Sequence, residues 1–278
     1  MKPKSILFEQ IIPVSLTLAV FGMLVLALYF VILLLNFLPF HSNIQLTFRF
    51  SDALIGAFIY FKTSVDFAIL IGLLMRSNEG WKNRIAIEIG TALGNGLGTF
   101  LVLAFWVIFK QLHFLLGLMI LISALVLFEL AAGGLKHFES WKSGSKLKQN
   151  LFNFIDVPLG FVLKYTRPVA SKILPNFSKQ LNGEKKLSWT KLMTFSVTTP
   201  FILGLDDFAA YIPLFSIVNV YGFAIGVMAA HTILNIGMFS FPEVTITAFR
   251  NRWISFVGTL AFMLLAFWGI FEALRIIF

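Results

Sequence analysis

The sequence predicts an all-α polytopic membrane protein of about seven transmembrane helices: one N-terminal helix followed by a three-plus-three inverted-topology repeat. Three observations carry that expectation. Hydrophobic residues make up 58% of the 278 positions and charged residues only 13%, and the mean hydropathy of +0.88 lies well outside the range of soluble globular domains. Apolar windows long enough to cross about 30 Å of hydrocarbon recur along the chain. Asp-Phe-Ala also occurs twice, at 66–68 and 207–209, each time in the middle of a long apolar run.

The first window, 11–36, follows Met1-Lys2-Pro3-Lys4. It is too long for the apolar region of a signal peptide and lacks a small-residue cleavage site, so it reads as an uncleaved extra helix. Windows at 54–75, 85–109 and 114–135 form the first three-helix repeat, spanning 54–135. Residues 136–191 form a basic cytoplasmic loop, and windows at 193–218, 222–247 and 254–275 form the second repeat, 193–275. The whole chain, 1–278, reads as a single membrane domain. Within the loop, Leu147, Leu151, Phe154, Ile155, Leu159 and Phe161 interleave with Lys146, Lys148, Lys164 and Arg167. That pattern fits a basic amphipathic helix on an anionic leaflet, or a plain loop that only fixes orientation. Pro158, Pro168 and Pro175 are expected to limit any single helix there.

The net charge of +9 reports orientation rather than nucleic-acid binding. With the N-terminus in the cytoplasm, 18 Lys and Arg fall inside and only Arg49, Lys110 and Arg275 outside, with Lys62 within a helix. This agrees with the positive-inside rule and predicts a bacterial inner-membrane location, the chain having no transit peptide. Cysteine is absent, which excludes disulfides, thiolate ligands and dithiol redox chemistry. Any metal would take O and N ligands. No HExxH or GxSxG motif occurs and the last window carries no Lys for a retinal-type linkage, so an enzyme is not expected.

Superposing the two Asp-Phe-Ala triplets gives an offset of 141, at which Asn95 falls within a residue of Asn235 and Gly98-Thr99-Phe100 shadows Gly237-Met238-Phe239. Helix 5 comes three crossings after helix 2, so the two acid-bearing helices run in opposite directions. That is the layout of many secondary transporters, whose sites lie at the repeat interface near the midplane.

An ionisable group at that depth costs about 2.5–3.5 kcal/mol on insertion scales and usually marks an ion or proton pathway. Asp66, Asp206 and Asp207 are the candidate cation ligands, since hard carboxylate oxygens can replace a hydration shell. Lys62, one helical turn from Asp66, is a competing charge partner. His231 and Asn235 stand four apart on one face of helix 6 and could converge on the carboxylates; with Asn95 they complete the expected ligand set. His231 also suits proton exchange near neutral pH. Glu88, seven residues before Asn95, is a second proton-coupling candidate, whereas Glu129 and Glu243 read as interfacial. Gly90, Gly94 and Gly98 form a stripe for close helix packing. Thr198-Thr199-Pro200 and Pro213 are kink signals bracketing Asp206 and Asp207.

These acid-centred motifs resemble those of the LysE superfamily of exporters. Gly204-Leu205-Asp206-Asp207-Phe208-Ala209-Ala210-Tyr211-Ile212-Pro213 is most similar to the cadmium-resistance branch, with the tellurite-resistance and manganese-exporter branches also similar. The resemblance implies efflux of cations or small solutes, with Asp206 at the leading acid, Asp207 at a position often amidic, and Asp66 as the acid of the first half. Val65 and Phe67 flank Asp66 where a second polar residue is expected, and Lys62 is unusual beside a cation site.

The leading expectation is therefore an antiporter-like exporter of a divalent metal, driven by protons or potential, with the metal as substrate and no cofactor. The alternatives are export of an organic solute such as an amino acid or lipid, with Lys62 or Tyr211 aiding recognition, and a non-transporting factor that recruits partners through its basic loop. Membrane lipids are expected contacts, a homodimer is compatible with the pattern, and nucleic acid is not an expected partner.

Overall fold

The structure, a computed structural model, describes residues 11–38, 43–78, 80–173, 187–203, 211–249 and 251–278. Within its helices the side chains at 65, 66, 69, 70, 73, 76, 166–173, 202, 203, 242, 243, 246 and 249 lie outside the description. The described residues are helical, with no strand among them. The helices are α1 (Ile12–Phe37), α2 (Phe50–Thr63), α3 (Val65–Ser77), α4 (Trp81–Phe109), α5 (His113–Lys136), α6 (Lys146–Ile173), α7 (Trp189–Leu203), α8 (Val220–Ser240), α9 (Pro242–Phe249) and α10 (Arg252–Ile277). Single 3₁₀ turns cover Glu139–Ser143 and Ile212–Ser216.

Five of these helices, α1, α4, α5, α8 and α10, are long and apolar enough to cross a membrane. They make the chain a helical, membrane-embedded protein. α1 shows the solvent it was built for. Its buried residues Thr17, Leu24, Leu28, Ile32 and Leu35 form one stripe, while Met23, Leu26, Phe30 and Leu34 on its other faces are exposed and equally apolar. A helix apolar all round is at home in lipid, not water.

The expected continuous helix at 54–75 is instead two. α2 stops at Thr63 and α3 starts at Val65, with Ser64 at φ −87 and ψ 22 between them. The local cause is hydroxyl competition: Thr63 Oγ1 turns back to the carbonyls of Ile59 and Tyr60 at 3.2 Å, which loosens the helix where β-branched Val65 follows. At 14 and 13 residues, each piece is about 20 Å long, too short to cross alone. Of the expected helix 193–218 the structure describes α7, with Pro200 inside it, as far as Leu203, and the 3₁₀ turn from Ile212; the residues between them lie outside the description. The expected helix 222–247 divides into α8 and α9 at Phe241, which at φ −141 and ψ 64 has left the helical conformation that a following proline disfavours. The segment 136–191 is more than a loop. α6 runs for 28 residues through Pro158 and Pro168, so the expectation that prolines would limit a helix there is corrected. The amphipathic pattern holds the helix because Phe152, Ile155, Leu159 and Leu163 are all buried.

The chain divides into two compact units. The first comprises 1–107, 177–205 and 218–246, and so holds α1 to α4, α7 and α8; the second comprises 108–176, 206–217 and 247–278 and holds α5, α6 and α10. Each draws helices from both halves of the sequence.

In the first unit, contacts fix the helix directions. The Asp52 carboxylate accepts the Asn219 N–H at 3.1 Å, and about two turns further along α2 and three along α8 Tyr60 meets His231, so α2 and α8 are parallel. Asn78 accepts from Leu187 N–H, Trp189 donates to the Lys82 carbonyl, and Gly94 faces Val197, so α4 and α7 are parallel. Arg84 lies against Phe239 and Asn235 against Thr91, so α4 and α8 are antiparallel. It follows that α2 and α7 run in opposite directions. In the second unit α5 and α10 are antiparallel, with Gly117 against Ile277, Gly269 against Ala124 and Gly134 against Thr259.

Glycines set the closest approaches in the first unit. A Cβ at Gly56 would overlap the Phe223 carbonyl, one at Gly226 the Ala53 carbonyl, and one at Gly94 the Val197 carbonyl. Backbone therefore lies directly on backbone at these crossings, the contact small residues permit in membranes.

Candidate functional site

The most polar buried region of the described residues lies in the first unit, where α2, α4 and α8 meet and α1 covers α4. Four side chains form a hydrogen-bonded chain there. Tyr60 Oη meets His231 Nδ1, His231 Nε2 meets Asn235 Nδ2 at 3.0 Å, and Asn235 Nδ2 donates to Thr91 Oγ1 at 3.2 Å. Thr91 in turn donates to the Glu88 carbonyl at 3.1 Å. Tyr60, His231, Asn235 and Thr91 are each no more than 1% exposed.

The helix periods explain the convergence. His231 and Asn235 are one turn apart on α8, and Glu88 and Thr91 one turn apart on α4. Antiparallel packing of α4 and α8 puts the two pairs face to face. The imidazole is also fixed through its ring, with Tyr60 edge-on at 5.6 Å and Phe67 stacked at 5.7 Å. Phe67 is the central residue of the first Asp-Phe-Ala triplet, so α3 places its first turn beside His231.

Proton counting constrains this chain. With Asn235 Nδ2 donating to Nε2, the imidazole hydrogen sits on Nδ1 and points to the Tyr60 oxygen. Asn235 Oδ1 is then buried without a hydrogen-bond partner among the described residues. Exchanging the amide oxygen and nitrogen would strand two N–H donors in place of one acceptor, so either assignment leaves an Asn235 atom seeking a partner.

Glu88 is 1% exposed and is met by α1 from its other side: Thr17 Oγ1 stands 2.6 Å from Glu88 Oε2 and 3.0 Å from the Pro13 carbonyl. A hydroxyl has one hydrogen, so only two arrangements satisfy this geometry. Either Thr17 donates to Glu88 Oε2, or Thr17 donates to Pro13 and Glu88, protonated, donates to Thr17. The contact ties α1 to α4 through one buried hydrogen bond.

Of the expected site residues, the structure joins His231, Asn235 and the Glu88 backbone. Asn95 is buried one turn beyond Thr91 but stands outside that chain, its carbonyl accepting from Thr99. Lys62, 8% exposed, lies in the last turn of α2 and forms no ion pair with another described side chain. Asp66 is in the first turn of α3, one residue past the helix break, with its side chain outside the description; Asp206 and Asp207 lie outside the described residues. Gly90 and Gly94 serve packing, with a Cβ at Gly90 only 2.6 Å from Ser196 Cβ. Tyr60, Thr17, Thr91 and Phe67 were not singled out from the sequence. A lone Thr or Tyr in an apolar window carries no spacing signal, although Thr91 stands three residues from Glu88 and four from Asn95. Among the described residues no group of three or more His, Asp or Glu is placed to hold a metal.

No protein-family model matches this chain, and neither does any curated protein or solved structure. The resemblance to LysE-type exporters thus rests on the two acidic motifs and the expected three-plus-three layout.

Proposed function

We propose that the chain is a secondary transporter that exports a divalent metal cation, coupled to protons or to the membrane potential. The observation that carries this reading is the pairing of its helices. Exchange the segment of α2 and α3 with that of α7, α4 with α8, and α5 with α10. The parallel pair α2–α8 becomes α7–α4, also parallel, while α4–α8 and α5–α10 map onto themselves. A pattern that is its own image, with the exchanged elements α2 and α7 opposed in direction, is what an inverted repeat produces. Counting 50–77 and 189–218 as one crossing each gives seven spans, and the break at Ser64 falls beside the first Asp-Phe-Ala triplet. Interrupted helices at a midplane site are characteristic of such transporters.

In this reading Asp66, Asp206 and Asp207 bind the cation, and Asn235 Oδ1 offers a neutral oxygen. Both nitrogens of His231 are engaged as they stand, so it orients Asn235 rather than ligating. Glu88, with Thr17, carries the coupling proton. The test is transport of Mn²⁺, Cd²⁺, Zn²⁺, Co²⁺ and Mg²⁺ by the purified chain in liposomes, with metal-induced thermal stabilisation alongside. A metal at a hundred times its dissociation constant should stabilise by about 2.7 kcal/mol. Asp206→Asn/Asp207→Asn should abolish both signals, and full transport by that variant would overturn the reading.

Lys62 favours a second reading, an organic solute carrying an anionic group. A buried ammonium with no described counter-charge is the natural partner of a substrate carboxylate or phosphate. Uptake that survives Asp206→Asn/Asp207→Asn but fails in Lys62→Gln would select it.

A further inference from the structure

The second unit contains a cavity of about 540 Å³ between the end of α5 and the flank of α6. Its floor is apolar, with Ala132, Phe152 and Leu163 among the lining residues, and its rim carries Lys136, Lys142 and Lys164 against Glu139 and Asp156. All three lysines are exposed. Lys142 reaches Glu139 only at 3.9 Å and lies over the Phe152 ring at 4.9 Å, so the acids do not hold the cations tightly. Gly160 lines the same cavity, and a Cβ added there meets nothing within 4 Å.

Two neighbouring features say which anion fits. α6 has three faces at 100° per residue. One is buried against the unit, one bears Lys146, Asn153 and Lys164, and the third exposes Leu147, Phe154, Val157, Phe161 and Tyr165, each 63–68% exposed. A helix with this division lies in a membrane interface. At the same end of the antiparallel α5–α10 pair, Phe138, Trp141, Trp253 and Phe256 pack ring against ring, with Trp253 half exposed. Of these four only Trp253 is exposed, and a Trp so placed sits at headgroup level.

We propose that this cavity binds the phosphate headgroup of an anionic phospholipid from the leaflet at that end of α5, with α6 lying in the same leaflet. The lysine rim takes the phosphate and the apolar floor takes the glycerol and first methylenes. Basic pockets at the ends of transmembrane helices bind such headgroups by this chemistry. The site is independent of the cargo.

The test uses the full chain in nanodiscs of phosphatidylcholine alone or with phosphatidylglycerol, read by melting temperature and by native mass spectrometry of retained lipid. Phosphatidylglycerol should raise the melting temperature and be retained preferentially. Each lysine near an anionic surface is worth about a fivefold change in affinity, so Lys136→Gln/Lys142→Gln/Lys164→Gln should weaken retention about a hundredfold. Gly160→Leu should abolish the preference by filling the cavity, whereas Gly22→Leu, at an equally open glycine of α1, should not. Equal stabilisation by the two lipids, or a preference unchanged in both the lysine and the Gly160 variants, would overturn the proposal. Inorganic phosphate or glycerol phosphate reproducing the stabilisation in pure phosphatidylcholine would overturn the lipid as its source.

Discussion

Glycines bring helices together in both units, but the first unit buries polar side chains between them whereas the second packs aromatic rings. Of the buried polar residues among those described, only Ser123, Ser255 and Thr259 belong to the second unit. The glycines differ in kind as well. Gly56, Gly94 and Gly226 lie against backbone carbonyls in the first unit, while Gly134 and Gly269 in the second meet a threonine hydroxyl and an alanine methyl. Lipid supplies no hydrophobic push between helices, so association rests on close packing and on polar contacts. The aromatic unit takes the first route. The glycine unit brings backbones together and so lets short side chains such as Thr91 and Asn235 bridge helices.

Cavity formation in the second unit should have the largest effect. Phe138 is fully buried and touches the rings of Trp141, Phe152 and Phe256. Phe138→Ala should cost about 3–5 kcal/mol, the range for truncating a packed aromatic, measured by denaturant unfolding in detergent micelles. A cost below about 1 kcal/mol would mean that these rings do not hold the second unit together.

Added volume should separate the two units. Gly226→Ala puts a methyl into the Ala53 carbonyl, where nothing flexible can yield, and should cost about 1–3 kcal/mol or more. Gly269→Ala meets Ala124 Cβ at 3.2 Å and needs a shift of only a few tenths of an ångström, so it should stay within about 1 kcal/mol of the native chain. Thermal unfolding of the two variants side by side checks the contrast, and equal losses would erase the distinction between the units.

The membrane helices were legible in the sequence, but the contrast between the units was not, because each unit draws helices from both halves of the chain. Composition and windows of about 20 residues identified the membrane helices because burying backbone polar groups in lipid allows few alternatives. The breaks at Ser64 and Phe241 escaped, since mean hydropathy does not register one residue of non-helical backbone between two apolar runs. The prolines of α6 misled because Pro158 is only half-buried and the apolar contacts of Ile155 and Leu159 hold the helix across it. His231, Asn235 and Glu88 were found by their charge or polarity in apolar windows. Tyr60 and Thr17 were not, because a Tyr or Thr in such a window is ordinary, and only the packing of α2 on α8 and of α1 on α4 shows what each touches.

The finest test asks whether the polar chain of the first unit acts as one. Tyr60→Phe removes the oxygen at His231 Nδ1 and keeps the ring that packs edge-on against the imidazole; Asn235→Leu removes the partner of Nε2. Each single change strands one imidazole nitrogen and should cost about 1 kcal/mol, at the lower end of what an unmet buried group costs, since hydrogen bonds between membrane helices average about 0.6 kcal/mol. The double variant should differ from the sum by about 0.5–1 kcal/mol, because the ring fixed by one partner is what orients it for the other. Additive losses would show two separate hydrogen bonds that happen to share a histidine. Coupled losses would show that Tyr60 on α2 is felt at Asn235 on α8, which is the connection a proton- or cation-responsive site in this unit requires.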